Sequence, residues 1–136
     1  MSTGVNPLIW TEIYVSDLER AQKFYESVLQ IQMFSMPMPQ GMEADKDSND
    51  YFEMVFFPGD TNLPGAGGAI VKSPMFQPGP GGTLVYFGCD DCAVETSRVE
   101  AAGGKVLQDK MPIGEHGFCS ICEDTEGNPI GFHSMK

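Results

Sequence analysis

The chain has no apolar run approaching the length that spans a bilayer, and it does not open on a charged segment followed by an apolar one. We therefore expect a soluble, cytoplasmic protein with no membrane partner. Positive charge is scarce: eight Lys and Arg stand against nineteen Asp and Glu, a formal net charge of −11. That balance repels phosphate backbones and anionic lipid headgroups, so nucleic acid and membrane surfaces are excluded as partners, while cationic compounds are attracted. A reducing compartment also removes disulfides from the reading, and the four cysteines are expected as thiols.

What is present is one domain's worth of chain, 136 residues, enough to bury a core without covalent staples. Nine methionines and nine phenylalanines supply adaptable apolar surface, which suits either a loosely specified core or a ligand cavity. The organising stretch is WTEIYVSDLERAQKFYESVL, residues 10–29. Trp10, Glu12 and Tyr14 alternate with Thr11, Ile13 and Val15, the two-residue period of a strand. Ser16 followed by Glu19 reads as a capping box, and Leu18, Ala21, Phe24, Tyr25, Val28 and Leu29 form one apolar helical stripe. The helix is expected to fold onto the Ile13 and Val15 face. The Trp10, Glu12 and Tyr14 face is then left to line something else.

Residues 30–36 run into Pro37 and Pro39 as an edge strand or loop, and the polar stretch 40–50 is expected to be a mobile loop. Strands are predicted at 51–57 and 69–72. The run SPMFQPGPGG, 73–82, holds three prolines and three glycines, so neither helix nor central strand fits; it reads as a linker. A strand at 83–89 then leads through Asp90 and Asp91 into a helix carrying Cys92, Glu95, Thr96, Val99 and Ala102, which Gly103 and Gly104 end. Strands follow at 105–111, 117–123 and 129–134, with DTEGN as a tight turn between the last two. Placing Asp17 over Asp91 aligns Ile13 with Phe87, Val15 with Cys89 and Leu18 with Cys92, an architectural repeat.

Four pieces, EIYVSDLERAQKFYESVL, GGAIVK, LVYFGCDD through VEAAGGKV, and DTEGNPIGFHS, together resemble the vicinal oxygen chelate superfamily of glyoxalase I, bleomycin-resistance proteins and extradiol dioxygenases. The resemblance implies an α+β fold of two tandem βαβββ modules, 6–73 and 83–136 joined by a linker at 74–82. Their sheets would form one open cup for a small molecule or metal chelate. It also implies a homodimer.

Catalytic members hold a divalent metal by one ligand from the first and one from the last strand of each module. The resemblance places those positions here at Trp10, Leu84, Gly131 and Gly68 or Ala69, none of which carries a side-chain donor for such an ion. We therefore expect no metal and no cofactor. An alternative is a relocated site at Glu12 and His133, each two residues from a lost ligand position and so on the same strand face.

Cys89 with Cys92 and Cys119 with Cys122 form two CxxC pairs, a spacing that suggests structural zinc. Against it, Cys119 and Cys122 fall in a strand, where an odd separation turns them to opposite faces, and Cys89 and Cys92 align with core positions. A redox pair at Cys89 and Cys92 is disfavoured by Asp90 and Asp91, whose charges oppose a thiolate. Core packing is the simplest role for all four.

Trp10, Tyr14 and Tyr86 would give a ligand flat aromatic contact. Glu12, Glu53, His116 and His133 supply polar groups that could face it, Glu53 as a base if the cup raises its pKa. The expected function is binding or sequestration of a small, partly apolar molecule, as in bleomycin resistance. The alternatives are a glyoxalase-type lyase or isomerase, and a structural zinc protein.

Overall fold

In the computed structural model, which describes residues 6–36 and 52–136, the organising stretch folds as a strand and a helix. β1 spans Leu8–Tyr14 and α1 spans Leu18–Leu29. The cap is Asp17 and not Ser16: Asp17 Oδ1 accepts from the Arg20 backbone N–H at 3.0 Å, satisfying one of the helix's orphan donors. Ser16 instead accepts from the Arg20 guanidinium, and Glu19 pairs with Lys23 on the surface. A carboxylate one residue nearer the first turn has displaced the expected capping box. The helix stops at Gln30, which takes the left-handed conformation (φ 55°) and donates its N–H to the Glu26 carbonyl.

The chain divides into two compact units, Thr11–Thr83 and Leu84–Lys136, the second also holding the chain up to Trp10. In the first unit β2 (Glu53–Phe56) pairs antiparallel with β3 (Gly67–Lys72), and β3 neighbours β1. Phe34 bridges to Phe56, which is all the strand character found in residues 31–36. Val55, Ile70 and Met33 form the core, against which Ile13, Val15, Leu18, Ala21 and Tyr25 pack. The apolar stripe of α1 is therefore only partly used. Phe24, Val28 and Leu29 are 58%, 60% and 54% exposed. The expected loop at 40–50 lies outside the described residues.

The Pro- and Gly-rich stretch is no free spacer. Gly82 accepts from the Tyr14 backbone N–H at 2.8 Å, and Phe76 packs on the Tyr14 ring.

The second unit runs β4 (Thr83–Gly88), α2 (Cys92–Arg98), β5 (Lys105–Pro112), a 3-10 turn (Gly114–His116), β6 (Phe118–Glu123) and β7 (Pro129–Ser134). Its strand order is β4-β7-β6-β5, β4 parallel to β7 and the other pairs antiparallel. Beside β4, Pro7 accepts from the Gly88 N–H. This is the strand, helix and three strands expected from the sequence.

Asp91 caps α2 through the Ala93 N–H. The helix ends at Arg98, earlier than expected, and the chain turns through residues 99–103 with Gly103 at φ 102°. Small polar groups join α2 to the sheet: Thr96 and Ser120 share a 2.7 Å hydrogen bond, and the Cys92 N–H donates to Ser134 Oγ at 2.9 Å.

Candidate functional site

Each unit has one sheet face under its helix and one face without it, and strand alternation sorts the candidate residues between them. In the first unit Ile13, Val55 and Ile70 face α1. Glu12, Tyr14, Met54, Phe56, Ala69 and Val71 therefore fall on the other side. Tyr14 is 5% exposed there; its hydroxyl donates to Glu12 Oε1 at 2.9 Å, and its ring centroid is 4.9 Å from that of Phe76. Burial first, then the charge and hydrogen bond of Glu12, push the phenol far above its ordinary pKa. Tyr14 is thus a neutral donor that holds the carboxylate in place. Phe76 was missed from the sequence, although it is the single aromatic residue in the Pro- and Gly-rich stretch.

Glu53 does not belong to this group. It shares alternation with Val55, so it lies on the helix side, exposed at the start of β2 opposite Lys72.

In the second unit Ser120 and Ser134 bond to α2, which assigns Phe118, Ser120, Cys122, Phe132 and Ser134 to the helix side. Cys119, Ile121, Gly131 and His133 face the other way, together with Leu84, Tyr86 and Gly88 of β4, whose register sets Tyr86 opposite Gly131 and Gly88 opposite His133. The Tyr86 ring lies directly on Gly131. A Cβ there would collide with ring carbons Cδ1 and Cε1 and stand 3.0 Å from Cγ. Gly131 is not among the residues of positive φ, so the backbone does not require glycine; the ring does.

His133 Nε2 is 2.6 Å from the backbone carbonyl of His116. A carbonyl only accepts, so Nε2 carries the proton and Nδ1 of the neutral ring is an acceptor. His116 itself is exposed in the 3-10 turn and meets His133 through its backbone carbonyl.

The positions to which the resemblance assigns the ion's ligands carry no side-chain donor for it. Leu84 is 1% exposed and Ala69 fully buried, the Tyr86 ring occupies the space a side chain at 131 would need, and the Thr11 carbonyl does the same at Gly68. Among the described residues no three His, Cys, Asp or Glu side chains are grouped as a metal site requires. Of the two donors of the relocated alternative, Glu12 accepts from the Tyr14 hydroxyl, whereas His133 is held by the His116 carbonyl through Nε2 alone, an arrangement that leaves Nδ1 as a potential ligand.

The cysteines are free thiols on more than one face: Cys122 lies under α2, Cys92 in the first turn of α2, and Cys119 on the opposite face. Burial, aided by Glu95, pushes the Cys89 thiol up to about 12, and burial raises Cys122 as well. Neither is a ready nucleophile.

Comparison with known proteins places the chain in a family. Residues 8–132 match the family model of the Glyoxalase/Bleomycin resistance protein/Dioxygenase superfamily. "Putative glyoxylase CFP32" of Mycobacterium bovis and that of Mycobacterium tuberculosis are each 29% identical over 121 residues, 88% of this chain. The chain spans 41% of the length of those relatives.

Among solved structures, methylmalonyl-CoA epimerase from Mycobacterium tuberculosis is similar with a TM-score of 0.65 at 14% identity, covering 100% of this chain and 93% of that one. A Streptomyces coelicolor methylmalonyl-CoA epimerase in complex with 2-nitronate-propionyl-CoA gives 0.63 at 13%, covering 96% and 94%. At such identity these two establish the glyoxalase-like α+β fold alone. By the match along nearly its whole length, the chain belongs to the Glyoxalase/Bleomycin resistance protein/Dioxygenase superfamily.

Proposed function

We propose that this protein binds a small, partly apolar molecule without a divalent metal, on a helix-free sheet face, in the manner of sequestration rather than turnover. The observation that carries this reading is the Tyr86 ring seated on Gly131, an aromatic wall in the place from which the family's last strand would offer a carboxylate. Within the first unit, Tyr14 and Phe76 likewise present aromatic surface of the kind that ligand sites use, and Glu12 is a charge held by Tyr14. The net charge of −11 favours cationic ligands. A cytoplasmic setting and a homodimer go with this reading.

The test is elemental analysis of the purified protein together with thermal stabilisation by a small-molecule library. No stoichiometric metal and a raised melting temperature with some compounds support it. A ligand at a hundredfold its Kd stabilises by roughly 2.7 kcal/mol, well within detection. A stoichiometric ion lost in His133→Ala would replace it with the glyoxalase-type reading, which Nδ1 of His133, an acceptor without a hydrogen-bond partner among the described residues, keeps open. Zinc lost in Cys119→Ser would point to the structural zinc protein.

A further inference from the structure

Resting on that reading, the geometry points to a specific ligand chemistry on the helix-free face of the second unit: a small aromatic molecule bearing one O–H or N–H donor, its ring against Tyr86 and its donor on His133 Nδ1. Three observations converge on this. First, the 2.6 Å contact between Nε2 and the His116 carbonyl fixes both the tautomer and the orientation of the imidazole. Nδ1 is left as an acceptor that makes no hydrogen bond among the described residues. His133 is half-buried, and a ligand that covered this nitrogen without a donor would strip its water and replace it with nothing.

Second, on the β4 side the flanking positions are glycines, Gly88 opposite His133 and Gly131 two residues before it, while on the β6 side Cys119 stands opposite His133 and Ile121 opposite Gly131. Neither glycine puts a side chain beside the imidazole. Gly88 is instead overlain by Ile9, whose Cδ1 and Cγ2 would stand 3.2 Å from a Cβ at 88, and Gly131 by the Tyr86 ring.

Third, the spacing suits a single ring. Alternate residues of a strand are roughly 7 Å apart, so a ring beside Tyr86 can direct a substituent to His133 two residues along β7. The surroundings are thus the aliphatic side chains of Ile9 and Ile121, the Cys119 thiol, an aromatic ring and one oriented acceptor. An apolar, planar molecule with a single donor matches them; a carboxylate or phosphate would meet a nitrogen lone pair and no cation there.

The experiment uses the full chain and three probes of similar size: phenol, anisole, which lacks the donor, and cyclohexanol, which lacks the ring. Amide and imidazole chemical shifts are followed on titration. The expected result is phenol binding at least tenfold more tightly than either analogue, with shifts centred on residues 86, 88, 131 and 133. His133→Ala should erase the preference for phenol over anisole, whereas Tyr86→Leu should weaken both and Tyr86→Phe restore them.

The inference is overturned if anisole binds as well as phenol, if His133→Ala leaves their ratio unchanged, or if the shifts map elsewhere. If those outcomes appear while library compounds still stabilise a metal-free protein, the donor-bearing aromatic is wrong and the binding reading stands. If nothing stabilises the protein and an ion is found, both fall. Thermal melts of each variant establish that a lost preference is not lost folding.

Discussion

Replacing Gly131 by alanine isolates the contact on which the functional reading depends. The added Cβ would overlap Cδ1 and Cε1 of Tyr86, and the opposing element is a ring anchored in β4, so relief requires rotating or displacing the whole side chain. Overpacking of this kind costs about 1–3 kcal/mol. Alanine in a strand interior is by itself better than glycine by roughly 0.5–1 kcal/mol. The parent should therefore lose about 1–2 kcal/mol in Gly131→Ala, a fall of roughly 3–10 °C for a chain of this length. In a Tyr86→Ala background the collision is gone, and the same substitution should be neutral or stabilise by about 0.5–1 kcal/mol. The coupling is then roughly 1–3 kcal/mol, read by urea unfolding with Trp10 fluorescence across the four proteins of the cycle. Equal effects of Gly131→Ala in both backgrounds, or a more stable Gly131→Ala parent, would refute the claim that glycine is there for the ring.

Other expectations concern caps and titrations. Asp17→Ala should cost about 1 kcal/mol of stability while Ser16→Ala stays within about 0.5, since Asp17 holds the helix donor; thermal melts of the pair decide it. The Cys89 thiol, pushed up to about 12, should alkylate with iodoacetamide ever faster up to that pH; a rate that levels off near pH 9 contradicts its burial. The sign follows: a thiol raised on folding contributes stability below its ordinary value, lost as pH rises through about 12. Asp91 is held below the usual carboxylate range first by its hydrogen bond from Lys110 Nζ, at 2.8 Å, so its contribution is present above that range and lost as pH falls. Lys110→Met should bring the Asp91 titration back toward the ordinary value, followed by NMR, and an unmoved titration removes Lys110 as the cause.

The strands and helices were legible because their periodicities are local. Trp10 to Val15 alternates, Leu18 to Leu29 repeats at helical spacing, and DTEGN closes where the turn lies, with Asp124 accepting from the backbone N–H groups of Glu126 and Asn128. Choosing between neighbouring caps was not legible, since Ser16 and Asp17 are both good acceptors and only the helix axis selects one. Nor was the exposure of Phe24, Val28 and Leu29: an apolar stripe shows what a helix can bury, not how wide a surface receives it. At the site, alternation put Glu12 with Tyr14 correctly, but the face of Glu53 depended on where β2 begins, and a register change of one residue reverses every side chain. The contacts of Phe76 with Tyr14 and of Tyr86 with Gly131 join different elements, which no local period reveals.

A cluster of metal ligands without its ion is expensive, because partly buried carboxylates and imidazoles that lack the cation are left desolvated and mutually repelling. A chain that dispenses with the ion should therefore fill the vacated positions with groups that need no partner and satisfy any donor that remains nearby. A chain that had merely moved its ion should keep two or more donors unengaged and convergent. Leu84 and Ala69 are buried apolar residues, and Gly131 is covered by a ring. Of the two donors nearest the old positions, Glu12 is tied to the Tyr14 hydroxyl, and His133 is tied to the His116 carbonyl through Nε2 while keeping Nδ1. These features support the first course. The residual acceptor on His133 then has a use that an ion-free surface can supply, a hydrogen bond to a ligand, and this is why the same imidazole decides both the metal test and the phenol test with opposite expectations.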